Sequence, residues 1–274
     1  VIPAKLTTIG TSAFESAKLT GLDLSTATSL VEIGASAFMR TDLEGTLVIP
    51  AKLTTIGPSA FKGAKLTGLD LSTATSLVAI GASAFISTDL EGTSLANTSL
   101  MGTLRVGPAM QTIGALAFAY STLTGLDLSE ATSLEWIENG AFYGTDLEGT
   151  LVIPAKLTTI GQAAFQYTEL TGLDLSNATS LVEIGDSAFY GTGLEGTLVI
   201  PAKLTTIGTS AFEGAKLTGL DLSTATSLLE IGELAFSSTD LEGTLVIPAK
   251  LTTIGTSAFE GAKLTGLDLS TATS

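Results

Sequence analysis

LTTIGTSAFEGAKLTGLDLSTATS occurs twice without change, as Leu204–Ser227 and as Leu251–Ser274. Its second half, LTGLDLS, begins at Leu19, Leu66, Leu123, Leu170, Leu217 and Leu264, at intervals of 47, 57, 47, 47 and 47 residues. Periods of this size mark arrays in which each coil of chain contacts only its neighbours, so the repeat decides the architecture before any single residue is considered.

Each period holds two related coils. Leu19–Asp42 is 24 residues long and Leu43–Lys65 is 23. Side chains alternate along a strand, so Leu22 and Leu24 are expected to point inward with Asp23 outward, and Leu47 and Ile49 inward with Val48 outward. Pro50 ends the strand, where its missing N–H does least harm. Leu30 and Ile33, or Leu53 and Ile56, are expected to cover the opposite wall. Gly34 or Gly57 then turns the chain, and Ala37–Phe38 or Ala60–Phe61 enters the core from a single helical turn. A lone coil buries too little to offset the entropy of ordering it, so the array has to be cooperative.

The motif I-G-x-x-A-F (Ile33–Phe38, Ile56–Phe61, Ile80–Phe85, Ile184–Phe189, Ile207–Phe212) and the motif L-x-I-P (Leu47–Pro50, Leu151–Pro154, Leu198–Pro201, Leu245–Pro248) resemble the BspA-like leucine-rich-repeat family over essentially the whole chain. The resemblance implies an extracellular or cell-surface repeat protein associated with adhesion to host proteins and other cells. Two features depart from that family. A column that often holds cysteine carries Ala17, Thr41, Ala64 and Ser121 here, and alternate coils read Leu-Asp-Leu-Ser. Plant-type leucine-rich repeats are similar in L-x-x-L-x-L-S, but their asparagine column holds Ala27, Ala74, Ala131, Ala178 and Ala225. The expected fold is therefore a leucine-rich-repeat solenoid: a right-handed parallel β-solenoid, mainly β with short helical turns. It forms one continuous domain over 1–274, of about eleven to twelve coils, read as an uncapped internal piece of a longer array.

Composition removes several functions. The chain has no cysteine and no histidine, so disulfides, thiol nucleophiles, common zinc sites and the usual general base are absent. Its 12 basic and 27 acidic residues give a net charge of −15, which disfavours nucleic acid and anionic membranes as partners. No apolar run approaches the roughly 18 residues that span a bilayer. The outward aspartates (Asp23, Asp70, Asp127, Asp174, Asp221, Asp268) fall on every second coil, about 9.6 Å apart. That spacing is too wide for two to share a calcium ion and gives no cleft for paired-carboxylate catalysis, so a solvated acidic face is expected. Thr-Thr pairs such as Thr54–Thr55 recur only on alternate coils, which leaves no continuous ice-binding ladder. No catalytic residue, cofactor or metal site is assigned.

Binding is expected where one copy departs from the rest. The 57-residue period carries an excess of about ten residues near Ser94–Thr103, either a partner-binding loop or a tolerated surface insertion. All four tyrosines (Tyr120, Tyr143, Tyr167, Tyr190) follow the coil phenylalanine on consecutive coils, and the single tryptophan, Trp136, lies in the same block where other copies have glutamate. Arg105 replaces the outward valine of Val48, Val152, Val199 and Val246 and is expected to pair with a flanking aspartate. These six residues form the candidate binding patch; edge packing is the competing account of the aromatics. Asn97 and Asn177 stand in glycosylation sequons. The resulting expectation is a non-catalytic protein that binds a protein or glycan on another cell or matrix. The alternative is a structural rod assembled from copies of itself.

Overall fold

The computed structural model describes residues 1–86 and 102–270, and the chain divides into two compact units, Val1–Leu147 and Glu148–Ser274. Each unit is a parallel β-solenoid. In the first, the short strands β1 (Thr8–Ile9), β2 (Glu32–Ile33), β4 (Thr55–Ile56), β6 (Ala79–Ile80), β8 (Thr112–Ile113) and β10 (Trp136–Ile137) form one continuous parallel wall. In the second, β12 (Thr159–Ile160), β14 (Glu183–Ile184), β16 (Thr206–Ile207), β18 (Glu230–Ile231) and β20 (Thr253–Ile254) do the same. The isoleucines align in register, which requires identical coils to stack without slipping.

The facing wall differs from the sequence expectation. Its strands join only in pairs: β3 (Glu44–Val48) with β5 (Lys65–Asp70), and β7 (Gly102–Arg105) with β9 (Leu123–Asp127) in the first unit. The second unit pairs β11 (Glu148–Val152) with β13 (Glu169–Asp174), β15 (Glu195–Val199) with β17 (Lys216–Asp221), and β19 (Glu242–Val246) with β21 (Lys263–Asp268). No ladder joins one pair to the next among the described residues. Within a pair the register shifts once, because Gly45 and Thr46 oppose Leu66 and Gly68 and leave Thr67 extra. The strand then stops at an Asx turn, where the amide of Ser72 donates to Asp70 Oδ1 at 2.8 Å instead of to the neighbouring coil. The hydroxyl of Thr73 takes over and donates to the Ile49 carbonyl at 2.7 Å.

The same Asx turn recurs at Asp23–Ser25, Asp127–Ser129, Asp174–Ser176, Asp221–Ser223 and Asp268–Ser270. The column expected as a solvated acidic face stays exposed or partly exposed, and at Asp70, Asp127, Asp174, Asp221 and Asp268 it also ends a strand. The serine hydroxyl and then its amide hold Asp70, Asp127, Asp174 and Asp221 below the usual carboxylate value.

No helix occurs among the described residues. The segment expected as a helical turn is a run of turns whose alternate amides leave the coil. Ala37 and Met39 donate to Gly34 and Ser36 within the coil, whereas Ser36, Phe38 and Arg40 donate to Pro58, Ala60 and Lys62 of the next. Helical bonding would keep these amides local; the stack demands that every second one reach across. That geometry forces left-handed backbone at Ser36 (φ 54°) and Arg40 (φ 57°), and at the matching residues of the other coils.

Between the walls the phenylalanines stack. Ring centroids of Phe38 and Phe61 lie 5.2 Å apart with planes 7° from parallel, and Phe189–Phe212 repeats this at 5.3 Å. Phe85 and Phe118 bracket the long period yet stack at 5.4 Å, so the core spacing there is the same as elsewhere. The column noted for its missing cysteine is buried at Thr41, Thr145, Thr168, Thr192 and Thr239, and each hydroxyl donates to the carbonyl of the phenylalanine three residues before it.

Replacing Phe189, fully buried between Phe165 and Phe212, by alanine is expected to cost about 3–5 kcal/mol in denaturant unfolding. Because the Asx-turn carboxyls titrate lower when folded, their contribution is complete above the unfolded value of 3.8 and is lost as pH falls through the folded values. Stability measured by thermal melts should hold from neutral pH to about 5 and decline below pH 4. Replacing Asp174 and Asp221 by alanine should flatten that decline.

Candidate functional site

The structure separates the sequence-predicted patch into distinct settings. Tyr120 and Tyr143, in the first unit, meet edge to face with centroids 5.2 Å apart and planes at 74°. Tyr167 and Tyr190, in the second, do the same at 5.4 Å and 86°. In each pair the first tyrosine comes two residues after its phenylalanine, at the left-handed position of the turn, with φ of 59° at Tyr120 and 58° at Tyr167. Five coils place glycine at this position: Gly63, Gly144, Gly191, Gly214 and Gly261. A bulky L-residue there costs roughly 1–2 kcal/mol, which a glycine avoids. The backbone reason for the conformation is the cross-coil ladder, since the Tyr120 amide donates to the Tyr143 carbonyl at 2.8 Å and the Tyr167 amide to Tyr190 at 2.9 Å.

Each such ring lies over the glycine of the next coil. A Cβ at Gly144 would come 3.2 Å from Tyr120 Cδ1, and one at Gly191 would come 3.0 Å from Tyr167 Cδ1. The expected edge packing is therefore present. It does not hide the rings: Tyr167 stays half exposed and the other three are partly exposed.

Trp136 belongs to a different wall. It occupies the outward position of β10, in register with Thr112, and is 43% exposed while its neighbour Ile137 is buried. In its unit that outward column reads Thr8, Glu32, Thr55, Ala79, Thr112 and Trp136. Arg105 lies on the paired-strand wall, its Nε 3.8 Å from Asp127 Oδ2. It pairs forward and not with Asp70, because β7 is bonded to β9 and not to β5. Both groups are exposed, so the pair contributes under about 1 kcal/mol.

Of the long period, residues 87–101, and with them Asn97, lie outside the described residues. Gly102 and Thr103 belong to β7 and oppose Leu123 and Gly125, just as Gly45 and Thr46 oppose Leu66 and Gly68. The strand thus claims the last two residues assigned from sequence to the insertion. Asn177 is exposed, beside the Asp174–Ser176 turn.

Sequence reasoning missed a set of grooves that open between one strand pair and the next. One is bordered by Asp174, Leu175 and Thr179 on one coil and by Val199, Pro201 and Lys203 on the following coil, with a volume of about 580 Å³. Another, of about 480 Å³, repeats the same positions at Leu24, Thr28, Val48, Pro50, Ala51 and Lys52. A third, of about 260 Å³, contains Leu71, Arg105, Pro108, Asp127 and Glu130. The signal was present in the sequence as Asp-x-Ser facing Val-x-Pro, but reading it required knowing that the ladder breaks there. Among the described residues no group of carboxylates is arranged to hold a metal ion, and no helix is long and apolar enough to cross a membrane.

The architecture agrees with solved structures. A leucine-rich repeat protein from Bacteroides ovatus matches with a TM-score of 0.58 at 19% identity, over 97% of this chain and 67% of that one. The pneumococcal vaccine antigen PcpA matches with a TM-score of 0.50 at 20% identity, over 96% and 67%. No curated protein sequence matches the chain. The model of the BspA type leucine rich repeat region matches residues 1–101, 93–218 and 164–274 in six copies. With the isoleucine wall, the phenylalanine stack and this match along its length, the chain belongs to the BspA-type leucine-rich-repeat family.

Proposed function

We propose that this chain is a non-catalytic repeat protein displayed at a cell surface, where it adheres to a protein or glycan through its exposed tyrosines. The observation that carries the reading is the left-handed backbone at Tyr120 and Tyr167. Folding alone favours glycine at that position, and the chain uses glycine there in five other coils, with Ser16, Arg40 and Ser238 in three more; only Tyr120 and Tyr167 place an aromatic ring there among the described residues. Strained backbone that holds a half-exposed aromatic ring outward is characteristic of residues kept for contact with a partner. Edge-to-face packing on Tyr143 and Tyr190 fixes the rings in advance, which lowers the entropy lost on binding. Family membership supports surface display, as does the likeness to PcpA, itself described as a vaccine antigen. Trp136 and the sequon at Asn177 fit an exposed, extracellular chain in the same way.

A second reading, a structural rod built by stacking of copies, draws on the identity of Leu204–Ser227 with Leu251–Ser274, since a lattice requires equal faces. Concentration-dependent filaments in sedimentation would favour it.

Tyr120→Gly with Tyr167→Gly separates binding from folding. Relief of the left-handed strain, roughly 1–2 kcal/mol per site, offsets an edge contact of about 0.5–1.5 kcal/mol, so the melting temperature should hold or rise. Adhesion to a solid-phase panel of matrix proteins and glycans should weaken by at least about tenfold for the ligand that binds the parent. Undiminished adhesion by the stable variant would refute the tyrosine assignment.

A further inference from the structure

Two of the grooves, that of Val199 and Lys203 and that of Val48 and Lys52, are built alike and stand apart from the tyrosines. Their walls are strand edges that lack a ladder partner. Ile200 donates its amide to the Asp221 carbonyl, so Leu198 and Ile200 turn their peptide groups toward β17. By alternation Thr197 and Val199 turn theirs the opposite way, toward the groove that they line. Both residues are exposed, and no ladder joins β13 to β15 among the described residues. Peptide groups left out of the ladder here can hydrogen-bond to an extended chain that lies across the groove mouth.

The side chains add an apolar floor and a charge. Val199, Pro201 and Ala202 provide the floor, and Val48, Pro50 and Ala51 repeat it in the first unit. Lys203 and Lys52 stand at the rim. Neither has a carboxylate partner among the described residues, whereas Lys65 and Lys263 pair with Asp42 and Asp240 at 2.9 and 2.6 Å. An unpaired cation beside an apolar strip, in a chain of net charge −15, is complementary to a ligand that brings its own acid. The opposite wall holds Asp174, whose Oδ1 is engaged by the Ser176 amide. No aromatic ring lines either groove, so the stacking surface that a sugar ring would use is missing.

We infer that each of these two grooves receives an extended peptide of a partner protein, with an apolar side chain on the valine–proline–alanine floor and an acidic side chain at the lysine. The peptide lies over the groove mouth and not as an inserted strand. Neighbouring coils are about one strand spacing apart, as the 5.3 Å phenylalanine stacking shows, whereas a whole inserted strand needs roughly 9.6 Å. Volumes of about 580 and 480 Å³ suit a short segment. The third groove serves as an internal control. Arg105 replaces its valine, Glu130 replaces the threonine found at Thr73 and Thr224, and its volume falls to about 260 Å³. The same peptide is excluded there by size and by the carboxylates of Asp127 and Glu130.

The test is a methyl-resolved NMR titration of the intact chain with acetyl-Thr-Val-Thr-Val-Glu-Thr-amide, and with a pool in which its two valines are randomised. Saturable shifts are expected at the methyls of Val48 and Val199 and not at Val106. Lys203→Glu should weaken the Val199 response by roughly fivefold or more while leaving Val48 unchanged. A peptide with lysine in place of its glutamate should bind less at both grooves. The tyrosine-to-glycine variant should respond like the parent, so failure of the tyrosine site and failure of the grooves are read separately. The inference is overturned by no saturable shift with either probe, by an equal shift at Val106, or by a Val199 response that survives Lys203→Glu.

Discussion

Everything in this molecule follows from backbone amides that leave their own coil to bond with the next. On the short-strand wall this is ordinary parallel pairing, as in Gly57 N–H to the Ile33 carbonyl at 2.7 Å. On the turn wall it is done without a strand, by Phe38 to Ala60 and Arg40 to Lys62. These two ladders set a common coil spacing, and the phenylalanine rings fill it at 5.2–5.4 Å in both units. A coil in isolation has neither ladder nor ring stack, so its stability exists only in the array.

The same demand explains the irregular features. Turn amides reach across where the coils adopt left-handed backbone at two fixed positions, and the described coils meet this with serine, glycine, alanine, leucine (Leu116, Leu234), Arg40 and, twice, tyrosine. The paired-strand wall lacks an equivalent rule. Its Asx turns divert the serine amide, its threonine hydroxyls replace the lost bond, and the ladder opens once per period. Regular stacking on two sides thus leaves a third side with exposed strand edges and grooves, and that side has the freedom to vary, as the groove with Arg105 and Glu130 does.

Two kinds of surface result, with different physics. The tyrosine pairs are rigid aromatic knobs whose positions are dictated by the turn ladder. The grooves are shallow and amphipathic, with lysine and aspartate on opposite coils. Under the proposed function, a few aromatic anchors and the repeated, weaker peptide contacts act multivalently, which strengthens attachment without any new site.

The inward residues were legible in the sequence because burial in a stacked coil imposes a strict period. Leu47, Ile49, Ile56 and Phe61 are buried as the alternation requires, and Val48 is exposed. The special coil positions were legible too, because a near-perfect repeat makes Tyr120, Trp136 and Arg105 stand out against their columns. Hydrogen bonding in the turns was not legible: Ala-Phe segments of this length satisfy a helical turn equally well, and only the neighbouring coil, by accepting every second amide, decides against the helix. Nor could the sequence reveal that the Leu-Asp-Leu strand is bonded to the coil before it and open to the coil after it. The Asx turn is local and only ends the strand, with Thr73 Oγ1 restoring a bond to Ile49 of the coil already paired; which neighbour the strand bonds is decided only once the coils are stacked.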